Sequence, residues 1–418
     1  MRFKFGTTAI ECSIPDHNVL GIIEPRRVEV YPFEEMMKQS LHDPIGKPRL
    51  KTMLRKNRPG DVVIIVSDRT RQIAHYAKIL EFLVSEFVDA GVDERAIECL
   101  VALGTHRRHT DEENRQLYGD LPDKIKFSFH DCHKDLVDIG MTSTHLEVLV
   151  NKRAHEAEFV VATGKIDFHY MAGYSGGRKA VLPGIAGYDT IRGNHCKLRR
   201  EGIAQGAIEG NIIAQEMHEA AHLFGLDYLV NMVETPDNET CGIFCGDPVN
   251  AFMRGLASFR KQRFVTVPER ADCAFISGGG DPGDRNFYVG HKVINNVIPV
   301  VKPGGVIVLV MQCAQGVGND AFCELLSDRT VDDLLRTPEH MIAIGGHRAY
   351  QTARLLRDYT IIVVSDLKEK VLSNMKFNVV SDISAALQQV KTRIGNDFTC
   401  YVVPDGHAVM PVMNGSIK

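Results

Sequence analysis

Six short apolar runs, each closed by a turn rich in glycine or charge, limit what this chain can fold into. They lie at 62–66, 97–103, 159–163, 274–277, 306–311 and 359–365. Short runs without polar alternation read as strands buried on both faces. Amphipathic segments of helical length lie between them at 74–90, 212–224 and 288–301. That alternation predicts an α/β fold with mostly parallel sheets. A chain of 418 residues suits two such domains, and Val267-Pro268-Glu269-Arg270, just ahead of a fresh strand signal, predicts a division into 1–268 and 269–418. The site is then expected in the cleft between them. Alternation at Phe3, Phe5 and Val28, Val30 predicts a small sheet near the start.

Parallel sheets bind ligands beyond the carboxyl ends of their strands. Four chemically rich blocks stand there: SDRTR at 67–71, GTH at 104–106, Gly164-Lys165-Ile166-Asp167-Phe168-His169, and Ser277-Gly278-Gly279-Gly280-Asp281. The densest stretch, HYMAGYSGGRKAVLPGIAGYDTIRGNH at 169–195, holds His169 and His195, Lys179 beside Arg178, and Ser175-Gly176-Gly177. Glycine lets a backbone approach a ligand closely. The basic pair supplies positive charge and an amine nucleophile.

Each motif has a plainer reading beside the functional one. Asp68-Arg69-Thr70-Arg71 sets two guanidinium groups, which match carboxylates and phosphates, in a post-strand turn; alone it also fits a surface ion pair. Gly104-Thr105-His106-Arg107-Arg108-His109 offers imidazoles for acid–base work, although loop histidines are often merely solvated. The GYSGGRK string at 173–179 fails as a phosphate-binding P-loop, because Arg178 and Ala180 stand where Gly and Ser/Thr belong. His218-Glu219-Ala220-Ala221-His222 is a literal HExxH, the spacing of a zinc peptidase, but Tyr228 replaces the third histidine of the extended form. Glu234 and Glu239 are its only nearby substitutes.

Composition narrows the classes further. A net charge of −4 provides no global basic field for nucleic acid. No apolar run is long enough to span a membrane, and the start shows no signal-peptide core. Ten scattered cysteines, without a disulfide-framework or zinc spacing, suit reduced thiols and a cytoplasmic setting.

The SDRTR, GTH, 169–195 and DRNFYVGHK (284–292) blocks, in this order, resemble the lactate racemase family of nickel-pincer-nucleotide enzymes. The resemblance implies a 2-hydroxy acid racemase or epimerase that moves hydride to and from a Ni(II) pyridinium bis-thiocarboxylate mononucleotide. It implies that Lys179 tethers the cofactor and that His195 is the nickel's protein ligand. His106 and His169 become the two acid–base residues, and Asp68, Arg69, Thr70 and Arg71 line the cofactor. Arg71, Tyr288 and Lys292 would hold the substrate, a 2-hydroxy acid or sugar acid. Separate cofactor-synthesis proteins are implied as partners. Two departures stand out: Gln72 replaces a common proline, and Val289 replaces the glutamine of lactate-acting members, so the expected substrate is not simple lactate. The alternatives are a zinc-dependent peptidase at the HEAAH helix and a cofactor-binding homologue without racemase activity.

Overall fold

A computed structural model describes residues 1–342 and 346–414. The chain divides into two units, one comprising Val28–Arg260 and the other Met1–Arg27 with Lys261–Lys418.

In the unit Val28–Arg260 a six-stranded sheet runs Thr240–Gly246, Tyr228–Glu234, Val160–Lys165, Val62–Ser67, Ile97–Ala102, Lys126–Phe129. Only the first pair is antiparallel. Numbered by appearance, the strands stand in the order 3-2-1-4-5-6, that of doubly wound nucleotide-binding folds. The order reverses between Val62–Ser67 and Val160–Lys165, where such folds open a ligand crevice. Both strands are buried along almost their whole length, because helices cover the sheet. The helix Tyr76–Asp89 lays Ile79, Leu80, Leu83 and Phe87 against Val62, Ile64 and Val66. This i, i+4 stripe faces one side of the sheet.

In the other unit six strands are all parallel, in the order Asn378–Val380, Thr360–Val364, Val301–Val310, Ala271–Ser277, Cys400–Val403, Val19–Ile22. The mostly parallel α/β architecture is therefore as expected. The boundaries differ. Val19–Ile22 is an edge strand on Cys400–Val403, and the hairpin of Arg2–Phe5 with Thr8–Glu11 buries Phe3 and Phe5 among Phe275, Val308 and Val402. The first 27 residues therefore belong with the end of the chain. The turn at Pro268 only joins two strands of one unit, Phe264–Val267 and Ala271–Ser277. Val28 and Val30 lie in no strand.

The expected helix over 288–301 is four short pieces, Phe287–Gly290, His291–Val293, Ile294–Val297 and Ile298–Val300. Val289, Val293, Ile294, Val297 and Ile298 are β-branched, and Pro299 lacks an amide donor, so a regular helix is locally disfavoured.

Candidate active site

The strand Val62–Ser67 delivers Asp68 at the switch point. Asp68 is buried, with Oδ2 at 2.6 Å from His106 Nδ1 and Oδ1 accepting from Thr70 Oγ1 at 2.7 Å. Burial alone would raise this carboxyl's pKa. The His106 hydrogen bond and charge, the Thr70 hydroxyl and the Arg71 guanidinium outweigh that and hold it below the ordinary value. An ionised Asp68 accepts from Nδ1–H of His106, which leaves the lone pair on Nε2. His106 itself is half exposed, so a base stands at an accessible strand end. Its turn is tight: Gly104 has φ +54°, and a Cβ there would lie 3.2 Å from the Pro183 carbonyl. Arg71 is exposed, so its guanidinium is open to a ligand.

The turn has supports that sequence reading passed over. His109, to which the family resemblance gives no role, accepts the Arg69 amide on Nε2 at 3.0 Å, while Nδ1 meets Asn114 Oδ1 at 3.1 Å. The Tyr76 hydroxyl accepts the Ser67 amide at 2.6 Å, and the Tyr118 hydroxyl donates to the Ser67 carbonyl at 2.7 Å. The sequence cue for Tyr76 is a polar aromatic on an otherwise apolar helix face; Tyr118, on the polar helix Asp111–Tyr118, and His109, in a loop, carry no such cue.

After Val160–Lys165 the chain forms a short antiparallel pair, Phe168–His169 with Gly173–Tyr174. His169 Nδ1 accepts the Ala172 amide at 3.1 Å, which places the neutral ring's proton on Nε2. That Nε2 lies 3.4 Å from Lys179 Nζ. Lys179 sits in the 3₁₀ turn Gly177–Ala180, buried. Burial first, then the charges of Arg71 and Arg178, press its pKa well below the usual lysine range. A neutral amine is a nucleophile and can accept the His169 proton. Asn231 shapes this turn: its Oδ1 accepts the Gly177 amide at 2.9 Å, and a Cβ on Gly176 (φ +82°) would meet the same oxygen at 2.9 Å.

His195 ends the helix Tyr188–His195. Its Nδ1 faces Asn194 Oδ1 at 3.1 Å, and Asn194 Nδ2 donates to Glu216 Oε2 at 2.8 Å. Glu216 is fully buried and is also held by Lys197 and Thr144. This Glu216–Asn194–His195 chain fixes the ring with its proton on Nδ1 and its lone pair on Nε2, the form that binds a metal. Neither Asn194 nor Glu216 had been singled out.

The expected residues therefore divide by unit. Asp68, Arg69, Thr70, Arg71, His106, His169, Lys179 and His195 belong to the unit Val28–Arg260, and Tyr288 and Lys292 to the other. Arg348 stacks on the Tyr288 ring at 3.8 Å. Asp284 is fully buried and accepts the Gly6 and Gln312 amides at 2.8 and 3.0 Å, and Asn286 caps the helix that begins at Phe287. These two residues of DRNFYVGHK are structural.

The HEAAH helix exists as Ile212–Phe224. Glu219, however, accepts the Ser143 amide and hydroxyl at 2.6 and 2.8 Å, and Glu234 pairs with Lys165 at 2.7 Å. No group of three His, Cys, Asp or Glu residues among the described residues is placed to hold a metal ion, and a zinc peptidase needs one.

Comparison with known proteins identifies relatives along nearly the whole chain. Residues 5–206 match the lactate racemase N-terminal domain and residues 267–411 the lactate racemase C-terminal domain. A lactate racemase of Lactiplantibacillus plantarum is 31% identical, with 96% of this chain and 97% of that protein covered. One of Thermoanaerobacterium thermosaccharolyticum is 28% identical, with 98% of each covered. The structure of a lactate racemase apoprotein from the latter organism superposes with a TM-score of 0.91, covering 98% of this chain and 99% of that one. A Thermotoga maritima protein of 15% identity, with a TM-score of 0.63 over 89% of this chain and 100% of its own, shares the fold alone.

Proposed function

The chain belongs to the lactate racemase family and is an isomerase, and from that premise we propose that it inverts C2 of a 2-hydroxy acid with a nickel-pincer nucleotide. The observation that carries this reading is the opposite poise of two imidazoles. His106, held by Asp68, offers a lone pair on Nε2, and His169, held by the Ala172 amide, offers a proton on Nε2. Inversion needs hydride to return to the opposite face of C2, and a pair poised as proton acceptor and proton donor serves the hydroxyl group in either direction.

The residues fit the cofactor. Lys179, buried and with its pKa pressed down by burial and by Arg71 and Arg178, is suited to an acyl-type linkage, and His195, fixed by Asn194, is suited to nickel. When bound, the nucleotide would supply a pyridinium ring as hydride acceptor and donor for C2. Around that exchange His106 takes the hydroxyl proton, a planar 2-keto acid is held, and His169 returns a proton on the other face. The same two residues exchange roles for the other enantiomer. Arg71 pairs with the substrate carboxylate, with Lys292 and Tyr288 as further substrate contacts. Asp68, Arg69 and Thr70 line the cofactor.

Val289 motivates a substrate other than simple lactate, since an apolar branch replaces a hydrogen-bonding amide. Sugar acids remain within the class. The cofactor would come from dedicated synthesis proteins. All ten cysteines are free thiols, and no helix among the described residues is long and apolar enough to cross a membrane; both fit a cytoplasmic enzyme.

The test is racemisation by protein made alongside the cofactor-synthesis proteins, supplied with single enantiomers of several 2-hydroxy acids, lactate included. Inversion from either enantiomer is expected, and its loss in His106→Ala and in His169→Ala with cofactor retained. Full activity in either variant refutes the two-base scheme. Cofactor bound without inversion of any acid would favour a binding homologue.

A further inference from the structure

Arg178 is almost fully buried, yet its Nε and Nη1 have no hydrogen-bond partner; only Nη2 is satisfied, by the Ala172 carbonyl at 2.7 Å. No carboxylate among the described residues pairs with it, and its guanidinium rests over the Phe252 ring at 4.9 Å. A buried cation without a counter-charge is costly, typically by several kcal/mol. Even with burial lowering its pKa to about 10, Arg178 is charged at neutral pH.

The same side chain lines a pocket of about 130 Å³ together with His218, His222, Asp247, Val249 and Phe252. Gly225 and Leu226 at its rim lead into the amino end of the strand Tyr228–Glu234, and Gly246 pairs with Leu229 at that same end. The lining runs from that amino end to Arg178, whose partner Ala172 also holds His169 through its amide. Its histidines are those of the HEAAH motif, which the racemase chemistry leaves unused. Asp247 is committed as a helix cap, with Oδ1 accepting the Val249 and Asn250 amides at 3.2 and 2.9 Å.

We propose that this pocket is a binding site for a small oxyanion, a carboxylate or a phosphate group, held by the open Nε and Nη1 donors of Arg178 with His218 and His222 beside it. A cation is disfavoured by the guanidinium, and an uncharged ligand leaves the buried charge uncompensated. Arg178 precedes Lys179, so the occupant lies next to the proposed tether residue.

The test uses the full-length apoprotein with ¹³Cε1-labelled histidine. Inorganic phosphate, acetate and chloride are titrated at constant ionic strength while the ring signals of His218 and His222 are followed. A saturable shift with phosphate or acetate, absent with chloride, is expected; phosphate alone would identify a phosphorylated source and acetate alone a carboxylate source. Arg178→Gln should weaken binding at least about tenfold. Val249→Trp, at an exposed rim position, should block the pocket without disturbing the buried guanidinium. Arg71→Gln should leave the shift intact, which separates this site from the proposed substrate site and from the success or failure of the racemase reading. No saturable shift with either oxyanion, or a shift that persists in Val249→Trp and in folded Arg178→Gln, overturns the proposal.

Discussion

Replacing Asp68 with asparagine tests whether His106 acts as a base because its tautomer is imposed. Thr70 Oγ1 donates to Asp68 Oδ1 at 2.7 Å, so an asparagine retains its oxygen there and turns its amide toward His106. The amide then donates where Oδ2 had accepted at 2.6 Å, and His106 must move its proton from Nδ1 to Nε2. Losing the charge-assisted bond costs about 1.5–3 kcal/mol, or roughly 10–150-fold. Reversing the tautomer of a general base raises the loss to about 10⁴-fold in the Ser-His-Asp template. A fall in kcat/KM of about 10²–10⁴ is therefore expected at equal cofactor occupancy, measured by chiral chromatography of the acid. Imidazole ¹⁵N shifts should show the Nε2–H form in the variant and the Nδ1–H form in the wild type. Activity within threefold of wild type, or an unchanged tautomer, would refute the reasoning.

Other predictions concern the apoprotein. Glu216→Ala leaves the partly buried Lys197 without its counter-charge and should cost about 3 kcal/mol, lowering the melting temperature by several degrees in thermal unfolding. Because Asn194 also loses its anchor, the His195 Nδ1–H signature should broaden or disappear. Lys179 has a depressed pKa when folded, so the unfolded chain binds the extra proton and stability rises with pH through the interval up to the unfolded value of about 10.4. Urea unfolding between neutral pH and pH 10 should show that rise in wild type and a flatter curve in Lys179→Met. Asp68 has the same sign in a lower window: its depressed pKa gives stability that is full above about pH 4 and lost as the pH falls through the folded value, so Asp68→Asn should be less acid-sensitive than wild type.

Much of this site was legible because parallel strands are buried on both faces and leave unbroken apolar runs. The run at 62–66 became Val62–Ser67, and Asp68 stands immediately beyond it. What was not legible lies between residues distant in sequence. Nothing in Val19–Ile22 announces that its partner is Cys400–Val403. Pro268 carries the same turn chemistry whether it ends a domain or a strand. The HEAAH spacing is visible in one dimension, but the commitment of Glu219 to Ser143 is not. Glu216, Asn194 and His109 act through other residues, so their roles appear only when the imidazole or amide they hold is seen.

The central claim is that this chain carries a covalent nickel-pincer nucleotide on Lys179. Its most direct measurement is the intact mass of the protein made with the cofactor-synthesis proteins, beside Lys179→Ala and beside a racemase that loads in the same cells. The account predicts an adduct on the wild type and none on the variant. An unmodified wild type beside a loaded control, or an adduct that survives Lys179→Ala, would contradict it.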